Sequence, residues 1–170
     1  MIMKIAFVIG HTEKDKGAFS TTLNKSEWDL FKDIKELEEI GDVIVHDKSI
    51  SSYKARQENT AKHKTKDYDI VFELHFNAAN GKAQGCEALY YKGSFESMSI
   101  ASDFCKIWGE KTGIKIRGAK SLDVGSRGYE FVQSTKGVAV LLEPFFGDNI
   151  EDCQKWSSEK FIETLKELLK

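Results

Sequence analysis

Val138-Ala-Val-Leu-Leu-Glu143 is the most apolar strand-like segment of the chain, and its reading decides the fold. From Val138 to Leu142 no polar residue alternates with the apolar ones, so a strand here has no face to offer to water. Such a strand belongs to a sheet covered on both sides, the situation of parallel sheets flanked by helices. Ile70 to Leu74 makes a second strand of this kind, and Lys4 to Ile9 a third, punctuated by Gly10. Val43 to Val45 and Cys86 to Tyr91 complete the strand set.

Helical segments separate these strands. Between Ser26 and Ile40 the apolar residues Trp28, Phe31, Ile34, Leu37 and Ile40 recur at three-residue steps, which predicts one amphipathic helix stopped by Gly41. Tyr53 to Lys66 has helical composition with little apolar periodicity, and its many Lys and Glu residues suggest a solvated face. Ser97 to Gly113 carries Ile100, Phe104, Ile107 and Trp108 at helical spacing. From about Ile150 onward, Phe161, Ile162, Leu165, Leu168 and Leu169 form one stripe, so a docked terminal helix is expected. Strand and helix alternate, and the class is α/β: a mostly parallel sheet with helices on both faces.

With 170 residues and 41% hydrophobic content, the chain suits a single domain over 1–170. A formal charge of -2 gives no electrostatic reason to expect a nucleic-acid partner. The apolar run Met1 to Gly10 is too short to span a bilayer and lacks a basic leader or a small-residue cleavage site, so it is expected to be a first strand in a protein made in the cytoplasm and not inserted in a membrane. Cys86, Cys105 and Cys153 are widely spaced, which suggests neither a disulfide framework nor a zinc finger. A monomer is the expected state.

In an open α/β sheet the functional groups gather beyond the carboxyl ends of the strands. His11 follows the first strand, His75 closes Ile70 to Leu74, and Glu143 closes Val138 to Leu142. Glu27 opens the first helix and can return to the same edge. Two imidazoles and a carboxylate are a common three-ligand set for catalytic zinc, and a second carboxylate supplies a base for water. The same residue types also serve plainer ends: a histidine after a strand as an edge hydrogen-bonder, and a glutamate early in a helix as partner to the helix dipole. By spacing alone both readings stand.

A resemblance bears on that choice. Ile9-Gly-His-Thr-Glu-Lys-Asp-Lys-Gly-Ala18 resembles the GHxxxDxGA opening of zinc-dependent N-acetylmuramoyl-L-alanine amidases, with Glu27 where their glutamate ligand falls. Asp69-Ile-Val-Phe-Glu-Leu-His-Phe-Asn-Ala78 is similar to their strand ending in SIHxNA. Gly85-Cys-Glu87 with Tyr90 resembles their GxE strand, and Val138 to Glu143 their closing VLVE strand. The resemblance implies a twisted mixed sheet flanked by helices, one zinc ion held by His11, Glu27 and His75, and Glu143 as the catalytic glutamate. The implied reaction is cleavage of the amide between the lactyl group of the wall sugar and L-alanine of the stem peptide in peptidoglycan. Thr12 and Glu13 replace the glycines that often follow the first GH, and Glu143-Pro-Phe-Phe-Gly-Asp-Asn149 departs from the family's GFxSN, so the loops that shape the groove differ and the resemblance leaves the stem preference open.

Other residues are weighed beside these. Asn77 shares a side with His75 in an extended chain and suits either substrate binding or loop capping. Glu87 is a substrate-binding candidate through the resemblance, against a solvated strand position. Arg127, in Gly125-Ser-Arg-Gly-Tyr129, can hold a stem carboxylate bidentately or stay a solvated loop arginine. His46 and His63 sit in polar contexts that suggest surface or capping roles, while Trp28, Trp108 and Cys105 lie on core stripes. A phage endolysin that lyses its host is the expected setting, with a bacterial autolysin as the other. The alternatives in function are a zinc carboxypeptidase-like exopeptidase and a catalytically silent wall-binding protein.

Overall fold

The computed structural model describes residues 3–170, so the part of the first-strand expectation that falls on Met1 and Ile2 lies outside the described residues. Eight strands and six α-helices follow one another as β1 (Ile5–Ile9), β2 (Phe19–Ser20), β3 (Lys25–Ser26), α1 (Glu27–Lys32), β4 (Asp42–Val45), α2 (Tyr53–Asn59), β5 (Ile70–Leu74), β6 (Cys86–Tyr91), α3 (Phe95–Thr112), β7 (Ile116–Leu122), α4 (Tyr129–Ser134), β8 (Val138–Glu143), α5 (Ile150–Lys155) and α6 (Ser158–Leu168). Six strands form one sheet in the order β4-β1-β5-β8-β6-β7, and β2 with β3 makes a small hairpin. The pairings are parallel except where β6 meets β8, so the sheet is mixed and mostly parallel, as expected.

Strand alternation sorts the core into two layers. Phe7, Ile9, Phe72, Leu74, Val140 and Leu142 face α1, α3, α5 and α6, where Phe31, Phe104, Trp108 and Phe161 are wholly buried. Ala6, Val8, Val71, Ala139 and Leu141 face the other way, against Ala61, Phe131 and Val132 of the α2 and α4 side. The second layer is thinner and holds smaller side chains. At the carboxyl ends of its strands the apolar residues give way to polar ones, and the cleft lies there.

The helix expected over 26–40 ends early. α1 stops at Lys32, Ile34 turns out of helical geometry with ψ 87°, and Lys35–Glu39 forms a separate 3-10 segment. Strict three-residue spacing explains the break. In an α-helix of 3.6 residues per turn, a row of such steps drifts around the axis, whereas 3-10 geometry keeps every third residue in line. Similarly, the single terminal helix expected after Ile150 is two, because Trp156 turns extended and Ser157 caps a fresh start. Sequence reading missed β7, α4 and the β2–β3 hairpin, which are short or carry charges on their exposed positions.

Candidate active site

Three loops bring the predicted residues together. His11 follows β1, Glu27 is the first residue of α1 behind the Ser26 cap, and His75 follows β5. All three are buried, and one ligand atom from each lies within 4.8 Å of the others. Glu27 Oε2 stands 2.9 Å from His75 Nδ1 and 3.3 Å from His11 Nε2. Two glycines make this convergence sterically possible. A Cβ on Gly10 would lie 2.3 Å from His75 Cε1 and Nε2, and a Cβ on Gly17, whose φ is +75°, would lie 2.6 Å from His11 Nε2 and 2.8 Å from Glu27 Oε1.

The cluster fits a cation better than it fits itself. Neither ring nitrogen of His11 has a hydrogen-bond partner although the residue is buried, and a buried polar atom without a partner is costly. Borderline-soft imidazole nitrogens with one carboxylate are the donor set that Zn²⁺ and similar divalent ions accept, so the group can bind a metal.

Around the cluster opens a cavity of about 550 Å³ lined by His11, Glu27, His75, Asn77, Glu87, Arg127 and Glu143, so the candidate ligands, base and binding residues all border it. Glu143 ends β8 opposite Glu87 in the β6–β8 ladder. Enclosure by the sheet end, reinforced by the Glu87 charge and opposed by His75, pushes the Glu143 carboxyl up to about 8. Glu87 is not the solvated strand residue weighed from sequence. It is buried, accepting from Asn77 Nδ2 at 2.8 Å and from Arg117 Nε at 2.7 Å. Asn77 is in turn fixed by its backbone, which bonds Phe145 and Gly147 at 2.9 and 2.8 Å. Arg127 is exposed, as a solvated loop arginine is expected to be, yet it also lines the cavity. Its guanidinium stacks 4.4 Å above the Tyr53 ring, whose centroid is 5.8 Å from that of His11.

Behind His75 lies a second polar cluster that sequence reading missed. Glu73 is wholly buried, bonding His46 Nε2 and Gln57 Nε2 at 2.7 Å each, and its Oε2 is 3.2 Å from His75 Nε2. His46, expected in a surface or capping role, is buried and also bonds Thr60 Oγ1 at 2.7 Å. Burial alone would raise both carboxyls. Instead the imidazoles of His11 and His75 hold Glu27 well below the carboxylate range, and those of His46 and His75 hold Glu73 at about 2. Burial likewise disfavours charge on His75, yet Glu27 and Glu73 on either side raise it to about 10. The polar face of α2 explains why Tyr53 to Lys66 showed little apolar periodicity: it buries Arg56, Gln57 and Thr60. A signal was available, since Glu73 is the one charged residue in an apolar strand and shares a face with His75.

Residues 5–169 match the family described as N-acetylmuramoyl-L-alanine amidase. The chain belongs to that family. Among solved structures of amidases, the catalytic domain of the CD27L endolysin targeting Clostridia difficile is 28% identical, with 99% of this chain and 97% of that chain covered at a TM-score of 0.78. An N-acetylmuramoyl-L-alanine amidase from Clostridium difficile 630 shares the fold at 19% identity and TM-score 0.76, covering 98% and 94% of the two chains. The amidase AmiC2 of Nostoc punctiforme shares it at 17% identity and TM-score 0.73, with 98% and 94% covered. No curated protein sequence matches the chain significantly. Among the described residues, no helix is long and apolar enough to cross a membrane.

Proposed function

We propose that this amidase hydrolyses the bond between the lactyl group of the wall sugar and L-alanine in peptidoglycan, with zinc held by His11, Glu27 and His75. One observation carries the reading: three buried ligand atoms within 4.8 Å of one another at the foot of a cavity, with the nitrogens of His11 unpartnered. Zinc bound there supplies a Lewis acid that polarises an amide carbonyl and makes water acidic enough to attack near neutral pH. Glu143 takes a proton from the attacking water and delivers it to the leaving nitrogen, so that a C–O bond forms as the C–N bond breaks. Its place at the end of β8, on the same cavity wall as the cluster, suits the carboxylate to both halves of that transfer.

The remaining groups bind and orient. Arg127 is the sole Lys or Arg among the cavity-lining residues, and its guanidinium, 4.4 Å from the centre of the Tyr53 ring, suits a carboxylate of the stem peptide. Asn77 and Glu87, locked to each other and to Arg117, form a fixed polar wall for the peptide backbone. The complete set of ligands and base speaks against a silent wall-binding protein. Likeness to an endolysin catalytic domain supports the setting of a phage lysis enzyme, and synthesis in the host cytoplasm and action on the wall as a monomer are part of the proposal. The test is mass spectrometry of purified cell wall digested with the protein: the reading expects stem peptides with a new free L-alanine amino group, and fragments cut only inside the peptide would sink it.

A further inference from the structure

We propose that Glu73 is a positioning residue for the metal centre, gripping His75 from behind so that its Nδ1 points at the ion. The proposal rests on the reading of His11, Glu27 and His75 as ligands. A carboxylate in the middle of a buried strand is a costly choice, because a well-packed apolar residue serves stability as well or better. Yet Glu73 is 0% exposed in a strand whose other members are Ile70, Val71, Phe72 and Leu74. The family motif that this strand resembles has serine at the corresponding position, so the carboxylate is a local departure with partners of its own.

Those partners form a chain that leads to the cavity. The Thr60 hydroxyl, at the start of a π turn that continues α2, meets His46 Nδ1 at 2.7 Å. His46 Nε2 meets Glu73 Oε1 at 2.7 Å, Gln57 donates to Glu73 Oε2 at 2.7 Å, and the same oxygen lies 3.2 Å from His75 Nε2. That last approach is not an aligned hydrogen bond in this structure, where His75 Nδ1 is bonded to Glu27. Its consequence is nonetheless directional. With one ring nitrogen turned to Glu73 and the other to Glu27, the ring has a single useful orientation, and Gly10 leaves just enough room for its far edge. A carboxylate opposite the non-ligating nitrogen of a metal-bound histidine fixes the tautomer, steadies the ring and raises the basicity of the ligating nitrogen. Gln57 and His46 do the same for Glu73, so residues of α2 and of the turn after β4 act on the site from behind His75.

The test measures zinc affinity by competition with a chromogenic chelator for the wild type, Glu73→Gln and Glu73→Ser, with the visible spectrum of each cobalt-substituted protein alongside. Both variants are expected to fold, to bind zinc about 10- to 100-fold more weakly, and to show shifted cobalt bands. Glu73→Gln keeps the volume and most of the hydrogen bonds, which preserves a folded comparison if Glu73→Ser does not fold. Folded variants with wild-type affinity and an unchanged cobalt spectrum overturn the role of Glu73 alone. A wild-type protein that takes up no zinc overturns the metal reading itself, and the inference with it.

Discussion

Two clusters of histidine and glutamate lie back to back in this molecule and use their polar atoms in opposite ways. His46 with Glu73 is closed: both histidine nitrogens and both carboxylate oxygens are bonded within the protein. His11 with Glu27 and His75 is open: it faces a cavity, and neither nitrogen of His11 is bonded. Residue types are the same and burial is similar, so composition does not separate support from site. Unmet bonding capacity does, since a protein tolerates buried orphan donors and acceptors mainly where a ligand, ion or water satisfies them.

The largest expected effect falls on turnover. Glu143→Gln removes the proposed proton carrier and leaves the open cluster intact, so the rate of wall hydrolysis should drop by about 10²- to 10⁴-fold with bound zinc unchanged. Elemental analysis beside a dye-release assay on labelled cell wall checks this, and a variant that loses metal and rate together would blur the division of roles. Next, His11→Ala and His46→Ala should part company in chemical denaturation of chelator-treated protein. His46→Ala strips wholly buried Glu73 of a 2.7 Å hydrogen bond and should cost about 3–5 kcal/mol, whereas His11→Ala removes a ring that meets Glu27 only at 3.3 Å, a carboxylate still bonded by His75, and should cost less, while abolishing zinc uptake. Equal costs would erase the distinction between the clusters.

The smallest effect is a trend with pH. In chelator-treated protein, Glu73 sits at about 2 against an ordinary 4.5, so its contribution is present above about 4.5 and fades as pH falls through 2. His75 sits at about 10 against an ordinary 6.5, so its contribution is complete below 6.5 and fades as pH rises through 10. Thermal unfolding without metal should therefore weaken by several degrees between pH 6.5 and 10. Zinc should reverse the slope, because its binding displaces the proton from His75 and becomes easier as pH rises. Parallel slopes with and without zinc would place the ion elsewhere.

Most of the sheet was legible in the sequence because its strands are continuous apolar runs, and Ile70–Leu74 and Cys86–Tyr91 fall where they were expected. What failed to show was structure held by polar contacts. α2 buries Arg56, Gln57 and Thr60, so no hydrophobic stripe marks it, and β7 exposes Ile116, Arg117 and Lys120 at the sheet edge. His11, Glu27, His75 and Glu143 stood out in the sequence because each follows or ends a strand or starts a helix and falls in a segment that resembles the family's motifs. Their supporting network did not, since His46, Glu73 and Gln57 are scattered along the chain and only the fold makes them neighbours.

Anomalous diffraction from crystals grown with zinc, recorded on both sides of the zinc absorption edge, tests the central claim most directly. The account predicts one strong peak bounded by His11 Nε2, Glu27 and His75 Nδ1, with Glu143 facing it across the cavity. A map with no peak there, or with its only peak among other side chains, would contradict it.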